Sequence, residues 1–424
     1  MGLISCMNQG DASERYSADQ LQKDFGQFRK ILEDKTAGLY TDRIALSVAL
    51  DQAEAEMQDG MTEQEFFRIL APVVTQLRCG HSFLSVSKAT EEDMRSRALF
   101  FPLDVRFIDD RLFVIADPYG SGATPGTEIL SINGRMSSEL MRTISSNLTT
   151  DGRDRGRPRY DAERWFASMY FRYIDNPESF VLEVLTPGSS SASDLQVLGV
   201  RDSSLSKISM GVIFDTADTP LSSLFMKDYA LLKIPVFMYS DQNAYKESVA
   251  SFFSELTTRQ TDTLILDLRG NYGGSPAQTV ELFKYLINES LPFFAEDNPF
   301  YLNKWKKPVE PALEAFSGRL YILMDEACFS MNSFLLSLLQ YHGIGTFVGA
   351  RSSGGFMCSD SSRNAVLSNT GLRLRYSTDI FKTAVEGQEE GIGIEPDMYI
   401  EWTIEDYIEG NDPVLSAALT NAGL

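Results

Sequence analysis

The chain has 424 residues, room for two or three domains at roughly 100–200 residues each, and its 43% hydrophobic content supports a sizeable core rather than global disorder. Its 59 acidic against 38 basic residues leave a formal charge of −21, which repels phosphate backbones and anionic lipid surfaces and argues against nucleic acid as a partner. No apolar run reaches the roughly 18 residues that a membrane-spanning helix needs.

Near the N-terminus, Leu3-Ile4-Ser5-Cys6 resembles a bacterial lipobox, whose Cys carries a lipid anchor, although the apolar leader that should precede it is absent. Two readings stay open for residues 1–16: a lipoprotein N-terminus anchored at Cys6, or a disordered tail with a chance match. The four cysteines (Cys6, Cys79, Cys328, Cys358) do not make a disulfide framework in a chain this long, and their pairing stays open. None has metal-ligand spacing and only two histidines exist, so no Cys/His zinc site and no cofactor are expected.

The first element is a helix opened by the capping box Ser17–Gln20, with Leu21, Phe25, Phe28 and Leu32 on one face. A second box, Thr62 to Glu65, opens a helix carrying Phe66, Leu70, Val73, Val74 and Leu77, which Gly80 is placed to end. Residues 17–95 are therefore predicted to be a helical region that delivers Cys79-Gly80-His81-Ser82 into a strand-like Phe83–Val86. Residues 96–205 are predicted to be β-rich. Strand candidates Leu103–Ile108, Leu112–Ala116 and Phe180–Leu185 flank Thr127–Gly134, where Asn-Gly signals a tight turn. Thr149–Tyr160 and Ser189–Ser193 read as loops.

From about residue 225 the pattern alternates. Strands are predicted at Tyr229–Phe237, Thr263–Leu268, Leu320–Met324 and Thr346–Val348, with helices at Gln242–Leu256, Pro276–Ile287 and Met331–Gln340. Alternation of this kind implies parallel strands with active residues where strands end and helices begin, which selects the loops Arg269–Ser275 and Asp325–Ser330.

Ser330 begins a helix after a buried strand. A lone serine there reads first as a helix cap. The competing reading is a nucleophile, with an oxyanion held by the free Met331 N–H at the positive end of the helix. The paired Gly273 and Gly274 would let a second backbone N–H approach, although a tight turn needs glycine just as much. A serine nucleophile needs a base. His342 closes the helix that Ser330 opens and reads as a cationic cap on its negative end, which leaves His81.

Together these pieces resemble the S41 family, the tail-specific and tricorn-core serine peptidases, over nearly the whole chain from about residue 20. Cys79-Gly80-His81-Ser82 is similar to the family's Asp-Gly-His-Thr segment, Gly126–Gly134 to a strand of its PDZ-like module, and Leu264–Gly274 to its LILDLRGNGGG loop. Ala327-Cys328-Phe329-Ser330 is similar to its TxS nucleophile segment. Phe347-Val348-Gly349 with Gly354, and Gly391 through Asp397, are similar to its closing elements. The resemblance implies an α/β (α+β multidomain) chain. Its parts would be the N-terminal helical region, a PDZ-like module over 96–205 and a ClpP/crotonase-like β/α catalytic core over 206–424.

It further implies a serine endopeptidase with Ser330 as nucleophile, His81 as base and Glu390, beside Glu389, as supporting acid. Gly273, Gly274 and Met331 would form the oxyanion hole. The branch that uses a lysine base would place it at Gly355, so this chain is similar to the histidine-using branch. That branch sets a helper serine before the histidine, where Gly80 stands here; Ser82 is the candidate substitute, although strand neighbours point to opposite faces. Protein or peptide substrates, a bacterial envelope location and bystander Cys328 and Cys358 follow from the same likeness. Two alternatives remain: an S41-like binder of apolar ligands that cuts nothing, and a scaffold that binds peptide C-termini through the PDZ-like segment.

Overall fold

Strand–helix alternation after residue 220 becomes a six-stranded sheet in the order Ser222–Phe225, Ala230–Lys233, Thr263–Asp267, Arg319–Met324, Thr346–Gly349, Met398–Tyr399. Only the first pairing is antiparallel. The structure, a computed structural model, describes residues 14–206 and 219–424. Successive side chains of a strand face opposite ways. Leu264 and Leu266 accordingly pack with Phe253, Phe283 and Phe334 from the helices Gln242–Thr258, Pro276–Lys284 and Met331–Tyr341. Ile265 and Leu323 turn to the other side, against Val414 and Ala418 of the helix Pro413–Ala422. Cover on both faces is why these strands read as unbroken apolar runs.

The predicted core elements agree with the observed ones within a few residues, and the exceptions have causes. The strand expected to run to Phe237 stops at Lys233, because Pro235 has no N–H for the ladder; Phe237 instead makes a single bridge to Gly274. Residues 104–198 form an antiparallel sheet in the order Asp104–Ile108, Arg111–Ala116, Glu128–Ile132, Ser179–Leu185, Ser193–Leu198. The expected Asn133-Gly134 turn is present, with both residues at positive φ (49° and 76°).

The loop expected over 149–160 ends early. A helix occupies Gly156–Arg164, and a second follows at Phe166–Tyr173. Arg157 and Asp161, four apart on the first, are buried as an ion pair of 3.3 Å. A helix that buries charged residues shows no apolar stripe, so periodicity misses it.

Both capping boxes form, at Ser17/Gln20 and Thr62/Glu65, and a third helix, Arg43–Glu56, lies between their helices. The second boxed helix ends at Thr75, before the Gly80 expected to stop it. The core of this region is not closed by its own residues. The hairpin Arg363–Val366/Arg373–Tyr376 pairs with the strand Phe83–Ser85, and its Leu367, Leu372 and Leu374 pack on Phe28, Phe67 and Leu70. Buried Asp24 accepts the N–H groups of Asn369 and Thr370, which ties the hairpin to the first helix.

Candidate active site

Two crevice loops meet above the carboxyl ends of the central strands, as the alternation predicts. The Asp325 carboxylate accepts the Gly270 N–H at 3.0 Å and the Ala327 N–H at 3.1 Å, so the loops are clamped together by one side chain. Asn332 adds a second clamp, donating to the carbonyls of Leu268 (3.1 Å) and Asn271 (2.8 Å). Ser330 itself sits at φ 54°, ψ −126°, a conformation that costs an L-residue on the order of 1–3 kcal/mol. Fully buried Ala327, Cys328 and Phe329 before it, and the helix Met331–Tyr341 after it, over-determine the turn.

Although Ser330 occupies the cap position, its side chain makes no capping hydrogen bond. Its Oγ lies 3.0 Å from His81 Nε2, across 249 residues of sequence. The capping reading of this serine fails on that geometry. Met331 opens the helix, so its N–H has no intrahelical acceptor. A Cβ on Gly273 would stand 2.8 Å from both the Met331 nitrogen and Ser330 Cβ, so only glycine lets the loop approach this closely. The Gly273 N–H, however, donates to Asn271 Oδ1 at 2.8 Å. The bridge to Phe237 uses the Gly273 carbonyl and the Ser275 N–H, which leaves the Gly274 N–H outside it.

His81 is 4% exposed, with its ring 4.6 Å from that of Phe329. Gly80 is required by the same packing: a Cβ there would meet the Phe329 ring at 2.6 Å and the Arg157 guanidinium at 2.7 Å, so no helper serine fits. Ser82 turns away, accepting the Ser377 N–H, with its own O–H within reach of either Ser377 Oγ (3.3 Å) or Cys79 Sγ (3.4 Å). Behind the ring lies Asp151. Its Oδ1 accepts the Gly80 N–H at 2.7 Å, while its Oδ2 and His81 Nδ1 are both buried without a hydrogen-bond partner. Burial pushes the Asp151 carboxyl up, against the opposing pull of the His81 charge and the Gly80 N–H. A second carboxylate, Asp360, stands 3.7 Å from Nε2 on the open side and 3.8 Å from Arg375.

The acid expected from the closing segment is not beside the histidine. Glu390 is exposed, and Glu389 forms a surface pair with Arg153 at 2.6 Å. The segment acts one step removed. The Gly391 carbonyl accepts the Arg153 N–H at 2.8 Å, and Gly152 packs so tightly on Gly391 that a Cβ would stand 2.3 Å from its Cα. This docking seats the loop that carries Asp151.

Several other expectations can be placed. At Gly355 a Cβ would lie 2.6 Å from the Ile392 carbonyl, so a lysine has no room there. His342 caps the far end of the helix that Ser330 opens, but burial lowers its pKa, which favours a neutral ring rather than the cationic cap expected. Cys79, Cys328 and Cys358 are buried free thiols, and burial raises the pKa of each, Cys79 to about 11, which makes them poor nucleophiles. Leu3–Cys6 lies outside the described residues. Asp151 and Asp360 went unseen in the sequence; a buried partner for His81 was the signal to look for, but Asp151 is one of several acids in its stretch.

This fold, with a serine at a strand end facing a histidine, defines a serine-type peptidase. Residues 228–400 match the model of peptidase family S41. Among solved structures the chain is similar to mature CPAF, with a TM-score of 0.69 at 16% identity over 96% of this chain and 98% of that one. It is also similar to mature CPAF complexed with lactacystin, at 0.68 and 16%, over 95% and 97%. At such identities the likeness is one of fold. No curated protein matches the sequence. Among the described residues no helix is long and apolar enough to cross a membrane.

Proposed function

We propose that the chain cleaves internal peptide bonds through an acyl-enzyme on Ser330, with His81 as general base. The observation that carries this reading is the 3.0 Å contact between Ser330 Oγ and His81 Nε2. Ser330 Oγ attacks the scissile carbonyl carbon as Nε2 takes its proton, and the N–H groups of Met331 and Gly274 receive the oxyanion. The intermediate collapses when His81 returns the proton to the leaving amine. A water molecule, deprotonated by the same nitrogen, then releases the acyl group and restores Ser330.

For this, Nδ1 must carry the proton, so that Nε2 presents a lone pair. We assign that positioning to Asp151, whose free Oδ2 can accept Nδ1–H and whose charge then steadies the imidazolium. Glu390, named by the family resemblance, is exposed to solvent, and Ser82 is committed elsewhere. The antiparallel sheet of residues 104–198 is read as the module that docks an extended peptide, and Leu3–Cys6 as an envelope anchor, to be checked by the mass of a lipid on Cys6.

Replacing Ser330 by Ala is expected to remove kcat by a factor on the order of 10⁵–10⁶ with the fold intact. A fluorophosphonate probe is expected to label Ser330 and nothing else. Full hydrolysis by the Ser330→Ala protein would end the assignment; an unlabelled, folded wild type with co-purifying lipid would favour a binder. A peptide blocked at both ends tests internal cleavage: it should be cut as fast as its free-ended counterpart.

A further inference from the structure

Cys79, His81 and Asp151 converge behind the imidazole. A thiol sulfur, a ring nitrogen and a carboxylate oxygen, one from each, all lie within 4.8 Å of one another. The residues are 6%, 4% and 3% exposed. His81 Nδ1 and Asp151 Oδ2 have no hydrogen-bond partner among the described residues. Sequence spacing missed this trio because Asp151 comes from a loop 71 residues after Gly80, whose N–H it holds. Ligand atoms around a tetrahedral zinc, at bond lengths of about 2.0–2.3 Å, stand roughly 3.3–3.8 Å apart. The trio needs a contraction of at most about 1.0–1.5 Å to match.

We propose that Cys79, His81 Nδ1 and Asp151 form an inhibitory site for a soft divalent cation of the zinc class. Sulfur and imidazole nitrogen select zinc or cadmium over magnesium or calcium, which demand oxygen ligands. A thiolate and a carboxylate together cancel the charge of a divalent ion, which suits a buried site. Ser377 Oγ, 3.2 Å from Cys79 Sγ, can donate to the thiolate as an outer support. The fourth position is open to water.

Inhibition follows from the two nitrogens of one ring. Metal binding uses the Nδ1 lone pair, so the single proton of the neutral imidazole moves to Nε2, and the Cys79 thiol proton leaves to solvent. Nε2 then donates to Ser330 Oγ and can no longer accept its proton. The loss of activity rests on the proposed role of His81; the binding of metal does not.

Two measurements separate these. Cadmium titrated into the Ser330→Ala protein is expected to produce a sulfur-to-metal charge-transfer band in the ultraviolet, and the additional Cys79→Ser replacement should remove it. In the active enzyme, zinc should inhibit hydrolysis and a chelator restore it. Cys79→Ser alone should keep basal activity while losing more zinc sensitivity than the roughly 10–100-fold that an outer-shell partner is worth. If Cys79→Ser does not fold, Asp151→Asn in the Ser330→Ala background should shift the cadmium titration of the band to higher concentration by tenfold or more, and an unshifted titration would remove Asp151 from the site. No charge-transfer band, or equal zinc inhibition with and without Cys79, overturns the site. A band without inhibition would keep the site and reject the role of His81.

Discussion

Ser330 ends a turn between a six-residue buried strand and an eleven-residue helix, within a sheet whose neighbours on both sides run parallel to it. His81 instead precedes a three-residue strand whose partner, Arg373–Tyr376, belongs to the far half of the chain, and the carboxylate behind it comes from a third segment. One half of the site is set by secondary structure, and each contact there spans about sixty residues. The other half is set by pairing and packing between segments remote in sequence. What the contrast teaches is that the placing of Ser330 is a local property of the sheet, whereas the placing of His81 depends on whether distant segments dock.

Replacing Asp151 by Asn attacks the docked half at its centre. Asn can still accept the Gly80 N–H, but it offers a donor to Nδ1 and so selects the wrong tautomer. We expect kcat to fall by about 10³–10⁴ with KM and urea midpoint little changed. A parallel loss of folding stability would make Asp151 structural only.

Gly80→Ser tests whether that half tolerates any added volume. The new Cβ meets the Phe329 ring at 2.6 Å, so a destabilisation of about 1–3 kcal/mol in urea unfolding is expected, with slower turnover. A faster enzyme would mean that the helper serine of related peptidases can be restored here.

On the nucleophile side, burial and the Asp325 charge push Glu326 up from 4.5 to about 7. The native state then keeps a proton that the unfolded chain releases, so stability should fall as pH rises from about 4.5 to about 7. The total is at most about 3 kcal/mol. Glu326→Gln should flatten that slope in denaturation curves taken across the window. An unchanged slope would show that Glu326 ionises freely in the native state.

The smallest effect is expected from Glu390→Gln, within about twofold in kcat/KM, as for a side chain exposed to solvent. A loss of a hundredfold or more would return Glu390 to the site.

The same division governs how much could be read in advance. Buried parallel strands announce themselves as apolar runs, and helices that follow carry their own stripes, so the crevice loops and Ser330 were legible. So was His81, by elimination between two histidines. Its partner was not. Asp151 lies among Asp154, Arg155, Arg157 and Asp161, and nothing local ranks one acid above another. What distinguishes Asp151 is the seat made by Gly152 on Gly391, a contact between loops remote in sequence. The Gly156–Arg164 helix was hidden for a related reason: its inward face is charged, satisfied by an ion pair that only the fold supplies.

The hairpin Arg363–Tyr376 has a consequence in time as well as in space. It supplies the strand that flanks His81 and the leucines that finish the first hydrophobic core, yet it is made only after most of the chain has left the ribosome. Until then the amino-terminal helices have no lid for their apolar faces and the base has no fixed position. The strand that flanks His81 and the lid of the first core are thus both delivered late, by the same fourteen residues, 363–376.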